Sequence, residues 1–235
     1  VARANTKANA TSDNAKFDLT GNLETKSTGN AVSHAGISGG SSATLLGFGL
    51  MVTDAQTDAE FKAVMTGSRG IKAANLDVET NYTAKANAET AQAKEGVKLA
   101  LADITTNISN ADVGVKSEAS VSGTGSVVTK GKAKILADGT ISSDATVATG
   151  SIVAAVSIGV NVVTSSLTAE QQAFLNMTGK GSKIGSDLTV KSLLNHAEAK
   201  AVTGPPAAGK NKDVKITLVG IDVNTADAYA ATKNK

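Results

Sequence analysis

The groups in this chain able to do chemistry are few, and their spacing decides against most catalytic designs. His34 and His196 are the only two histidines. They stand far apart in a chain with no cysteine and no HExxH pattern, so they read as surface or turn histidines and not as metal ligands. The run GPPAAGKN at Gly204–Asn211 fits GxxxxGK of a phosphate-binding loop. Asn211, however, stands where a Ser or Thr hydroxyl must reach magnesium. Two prolines also remove amides from the cradle, and DVKITLV beyond it reads as a strand where a helix is required. The expectation is a solvent loop, and GKGSKIG at Gly179–Gly185 likewise reads as a corner between strands. Asp54 with Asp58, and Asp222 with Asp227, are loose carboxylate pairs of the kind a polysaccharide-cleaving groove would use, with Tyr82 and Tyr229 the only tyrosines to serve as sugar platforms. No GxSxG elbow supports a Ser-His-Asp triad. No catalytic, cofactor-binding or metal-ligating residue is assigned. The one candidate contact surface is Lys130, Lys132 and Lys134, which alternate with small or apolar residues as a strand with an outward basic strip would, suited to anionic glycans or headgroups.

The elements that must carry these residues are strands. Aromatics make up 3% of the 235 residues and there is no Trp, whereas 23 glycines accompany abundant Ala, Val, Thr and Ser. Small and β-branched groups fill a narrow stack of strands better than a bulky enzyme core. The absence of cysteine excludes disulfide scaffolds and thiolate chemistry. A net charge of +2 with dispersed basic residues gives no nucleic-acid surface. The longest apolar run, near Ile152–Val163, is too short and too broken for a membrane helix. From Val1 onward no basic n-region and apolar h-region of a signal peptide is visible, and the chain reads as a piece of a longer protein.

The strongest pattern is SIVAAVSIGVNVVT at Ser151–Thr164. Ile152, Ala154, Val156, Ile158, Val160 and Val162 occupy alternate positions and are expected to line the buried face. The opposite face, with Ser157, Gly159 and Asn161, needs no large apolar partner. TDAEFKAVM and TAEQQAFLNM have capping-box spacing, but their alternation of Phe61, Ala63 and Met65, and of Ala173, Leu175 and Met177, favours strands.

The chain also echoes itself. FGLMVT at Phe48–Thr53 matches IGVNVV at Ile158–Val163, NLDVET at Asn75–Thr80 matches DLTVKS at Asp187–Ser192, and VKLAL at Val97–Leu101 matches VKITL at Val214–Leu218. Residues 39–118 and 150–231 read as two repeat units. The growing offsets place two inserted residues in Ser165–Gly179 and five more near Thr203–Asp213. Strand-like runs every 20 to 30 residues predict roughly ten coils of a β-solenoid, a rod of about 50 Å at about 4.8 Å per coil.

GSIVAAVSIGVNVV, then NMTG, then IGSDLTVKSLLNHAEAKAVTG over Gly150–Gly204, resembles the repeats of very large secreted adhesins of the filamentous-haemagglutinin type, nearest to the fusobacterial leukotoxin kind. Gly39–Ala88 and the run KGKAKILADGTISSDATVATG share the style. The resemblance implies an all-β, right-handed parallel β-helix forming one segment, residues 1–235, of a longer secreted or bacterial cell-surface protein. It further implies a non-enzymatic spacer that requires no cofactor, meets a host-cell receptor or glycan, and can associate end to end through open coil edges. A carbohydrate-active β-helix enzyme and a self-assembling filament subunit are the alternatives.

Overall fold

Alternating Ala, Ser, Thr and Val, with only two prolines, adjacent in sequence at 205 and 206, lets strands run long. The computed structural model describes residues 1–39, 42–91, 97–148, 151–204 and 215–235, and among these every regular element is a strand. The first coil is β1 (Ala2–Asp13), β2 (Lys16–Asp18) and β3 (Leu23–Ser38). The second is β4 (Ser42–Thr66), β5 (Gly70–Ala73) and β6 (Leu76–Ala91). The third is β7 (Val97–Gly123), β8 (Val127–Thr129) and β9 (Ala133–Ala148), and the fourth is β10 (Ser151–Met177), β11 (Lys183–Ile184) and β12 (Leu188–Gly204). β13 (Lys215–Asn234) opens a fifth. The first strands of the coils form one sheet in the order β1-β4-β7-β10-β13. The short second strands form another, and β3, β6, β9 and β12 a third, all with parallel pairing. The protein is a parallel β-helix. TDAEFKAVM and TAEQQAFLNM lie within β4 and β10 as strands.

The coils are fewer and longer than the expected ten. A circuit takes 53 residues from Ala2 to Ala55 and 63 from Ile152 to Lys215. One strand of 25 to 27 residues holds two of the apolar runs that spacing alone assigns to separate coils. Four coils and an opening strand make a stack of about 20 Å at the usual inter-strand spacing.

Each pair of matching segments shares one column of the stack, two coils apart. Phe48 pairs with Ile104 and Ile104 with Ile158. Leu76 pairs with Ala133 and Ala133 with Leu188, and Ile158 in turn pairs with Ile221. The two inserted residues fall after Ser165–Gly179 for the most part, in the turns flanking β11: the two-coil offset is 110 at Leu175, 111 at Lys183 and 112 at Leu188. One further residue is a bulge between Leu194 and His196. The GPPAAGKN run, apart from Gly204, lies outside the described residues. At the corner after the first sheet, Asn14 (φ 51°) and Gly67 (φ 63°) occupy successive coils, the two residue types that tolerate left-handed backbone most readily.

The core between the long sheets is thin and hydroxyl-rich. Thr57 donates to the carbonyl oxygen of Lys85 at 2.6 Å, Ser109 to that of Ala88 at 2.9 Å, and Ser143 to that of Ala111 at 2.9 Å. Each bond crosses from one sheet to the other, a span that only small side chains permit. Where large groups do enter, glycines make room. Phe61 and Tyr82 stack with ring centroids 4.9 Å apart. A Cβ on Gly29 would stand 2.2 Å from the Phe61 ring, and one on Gly139 would stand 2.2 Å from Tyr82.

Candidate functional site

The strand expected to anchor the core is turned partly inside out. Pairing in the first sheet skips one column, Leu45, Leu101, Ala155 and Leu218, while the register on either side is unchanged. Before that column Ile152 and Ala154 are buried, as expected. Beyond it the phase reverses, so that Ser157, Gly159 and Asn161 face inward and Val156 is 42% exposed. Four of the six residues expected inside therefore face outward or to the margin. Their columns are continued by Phe48, Leu50, Ile221 and Val223. The result is an aliphatic outer face across four strands, with Phe48 75% and Leu50 68% exposed.

Beneath this face the interior is polar. Asn107 donates an amide bond to Asn161 at 2.8 Å, and Asn161 one to Asn224 at 2.7 Å. Met51 occupies the same column in β4, and the ladder stops there: Asn107 Oδ1 is buried with no hydrogen-bond partner. This ladder makes the reversed phase tolerable, because buried amides that bond one another along the stack escape the cost of stranded polar groups.

Further along the same sheet, the outer face carries a charged ridge. Lys7, Glu60, Lys116, Glu170 and Lys233 occupy one column with the sign alternating at every coil. Lys7 lies 3.5 Å from Glu60 and Lys233 lies 3.8 Å from Glu170, and Lys62 also bonds Glu60. The Lys62 bond holds the Glu60 carboxyl below its ordinary range, the charge of Lys7 adds to this, and partial desolvation opposes it. Glu60 is thus a fixed anion and acceptor, not a proton donor. Beside the ridge runs a trough of about 680 Å³. Its floor is the neighbouring column, where Gly114 lies between Asp58 and Thr168 and removes the side chain that would fill it. Gln56 donates to Asp58 at 2.9 Å. Tyr229 is exposed one column away. A smaller trough of about 200 Å³ follows the other flank of the ridge, lined by Lys62, Glu118 and Gln172.

The structure does not bring Lys130, Lys132 and Lys134 together as one strand. Lys130 and Lys132 lie in the bend after β8, and only Lys134 lies in β9. Lys132 stands 3.8 Å from Asp187 and Lys134 3.2 Å from Glu79, each partner belonging to an adjacent coil. Two of the three charges are thereby matched locally. His34 and His196 lie on the two edge strands of the third sheet, His196 within 3.1 Å of Glu198. Of the loose carboxylates, Asp58 lines the trough, and Tyr82 is buried in the core. Among the described residues no cluster of His, Cys, Asp and Glu is grouped to hold a metal, and no helix is long and apolar enough to cross a membrane.

Sequence spacing misses the ridge because its members stand one coil apart, between 53 and 63 residues. That signal becomes visible only when the coil length is known. No family model matches the chain, nor does any curated protein or solved structure. The fold defines a parallel β-helix, and the geometry of its lateral surface is what bears on function.

Proposed function

We propose that the chain is a non-enzymatic, rigid spacer segment of a secreted or cell-surface adhesin or cytotoxin, and that its lateral trough contacts a glycan of the host-cell surface. The observation that supports this is the trough itself. It runs along the stack beside a ridge of alternating charge, and the three lysines and three carboxylates that line it balance. Such a wall offers both donors and acceptors without imposing a net charge on the ligand, which suits a neutral polyhydroxyl chain better than a nucleic acid. The free edges of β1 and β13 suit the spacer role, since further coils of a longer chain can pair there.

A glycan array read with the protein and with Gly114→Leu tests the proposal. The added side chain projects outward, and the nearest atom it meets is the far end of the Asp58 side chain, which can rotate away, so the fold is retained. Binding that disappears in Gly114→Leu and persists when Lys130, Lys132 and Lys134 are neutralised supports the trough. Binding unaffected by Gly114→Leu refutes it. A carbohydrate-active enzyme is the second reading, favoured by Asp58, Glu60 and Glu170 sharing the trough. An ionised, lysine-paired Glu60 is poorly suited to be its general acid. Release of reducing ends from a bound polysaccharide, abolished in Glu60→Gln, would establish that reading instead.

A further inference from the structure

The aliphatic outer face of the first sheet lies apart from the trough, and it carries no charged side chain from the Leu45 column to the Val52 column. Four strands at about 4.8 Å and seven residue steps at about 3.3 Å give it a footprint of roughly 450 Å². That is the size of the largest apolar patch on a typical monomer, a patch that is often functional. It is one side of an in-register parallel sheet, so the surface that fits it best is another aliphatic sheet face lying about 10 Å away. We infer that this face packs against the same face of a second copy of the chain, giving a two-fold dimer of β-helices side by side.

Area and charge both favour this occupant. Two such footprints supply about 900 Å² of apolar contact, and a surrounding polar rim brings the total near the roughly 1,600 Å² of a standard interface. The next column holds Asp54 and Asp227. A two-fold axis lying between the two faces and parallel to the stack reverses the strand direction and sends these rims to opposite ends of the contact, where they do not oppose one another. The same carboxylates would be repelled by an anionic lipid surface. The face differs from the open coil edges, so the dimer leaves both ends of each stack free.

Sedimentation velocity from low micromolar to submillimolar concentration tests this with the whole chain. The protein is expected to pass from monomer to dimer. Leu50→Lys and, separately, Val223→Lys place a cation within the contact, on its two flanking strands, and weaken the dimer by about tenfold or more. Both residues are exposed in the single chain, so an unchanged circular dichroism spectrum certifies the fold. Thr168→Lys, in the trough, leaves the dimer intact. A wild-type protein that stays monomeric overturns the inference. So does a dimer or fibre indifferent to both face variants, which would assign association to the coil edges. Binding of the monomer to phosphatidylcholine vesicles without dimerisation would assign the face to a lipid surface and overturn it as well.

Discussion

Gln171 offers the sharpest test of how the thin core accommodates its large groups. The side chain is fully buried and makes three bonds. It accepts from the Tyr82 hydroxyl at 2.7 Å and donates to the carbonyl oxygens of Ala137 at 2.6 Å and Leu193 at 2.8 Å. Gln171→Leu keeps the volume and removes all three. The buried hydroxyl is then stranded at a cost of about 1–3 kcal/mol, and each carbonyl loses a contact worth about 1 kcal/mol. The more apolar side chain offsets about 1 kcal/mol, so the net destabilisation is about 2–4 kcal/mol. Tyr82→Phe alone strands Gln171 Oε1 and costs about 1–2 kcal/mol. The double variant strands neither group of that pair and is about 1–2 kcal/mol more stable than the sum of the two single losses. Equilibrium urea unfolding followed by far-ultraviolet circular dichroism measures all four proteins. Strict additivity would refute the reasoning, because it would mean that the hydroxyl does not depend on Gln171.

Burial, reinforced by the charge of Asp138, raises the Tyr82 phenol far above its ordinary range. The folded state therefore holds that proton longer, and stability is fully present below pH about 10 and falls above it; Tyr82→Phe flattens that alkaline limb in melting temperatures measured against pH. Glu60 acts in the opposite sense. Its lowered pKa contributes stability above pH about 4.5 that is lost as the pH falls, and Glu60→Gln removes this acid dependence, as does high salt. Gly29→Ala sets a methyl against the Phe61 ring and lowers stability by about 1–3 kcal/mol, with the loss reduced when Phe61→Leu is added. Met51→Asn extends the amide ladder to the unpartnered Asn107 oxygen and unfolds about 1 kcal/mol later than Met51→Ala, a comparison that cancels the lost methionine packing.

The strand class is legible in the sequence because alternation is a backbone property, and it survives in every long segment; parallel pairing is not, since alternation reads the same in either strand direction, and it rests on the resemblance over Gly150–Gly204. The column shared by Phe48 and Ile158 is legible too, since residues stacked on one another in an extended ladder face the same demands. Coil length is not. Nothing local distinguishes a strand of 27 residues from two shorter strands, and only the true corners, marked by Asn14 and Gly67, separate one sheet from the next. Facing is also hidden at Val156–Val162. Apolar residues sit at even positions there, whereas Val163, Leu167 and Ala169 hold odd ones. An uninterrupted strand with such a phase change must either bulge or present its aliphatic side outward. Here the skipped column at Ala155 reverses the phase in all four strands at once without changing the register between coils, which turns the aliphatic side outward, and the Asn ladder beneath makes it sustainable.

The ridge of alternating charge sets a rule for how such a stack can lengthen. Removing the coil that carries Lys116 would bring Glu60 beside Glu170 at a single strand spacing of about 4.8 Å, like charges directly opposed across neighbouring strands. Removing the coils of Glu60 and Lys116 together would set Lys7 beside Glu170 and restore the attraction. The same parity governs addition. A β-helix with this ridge is electrostatically a polymer of coil pairs, and shortened or extended versions with an even change in coil number keep a continuous ladder, whereas odd ones carry a charge fault at the splice.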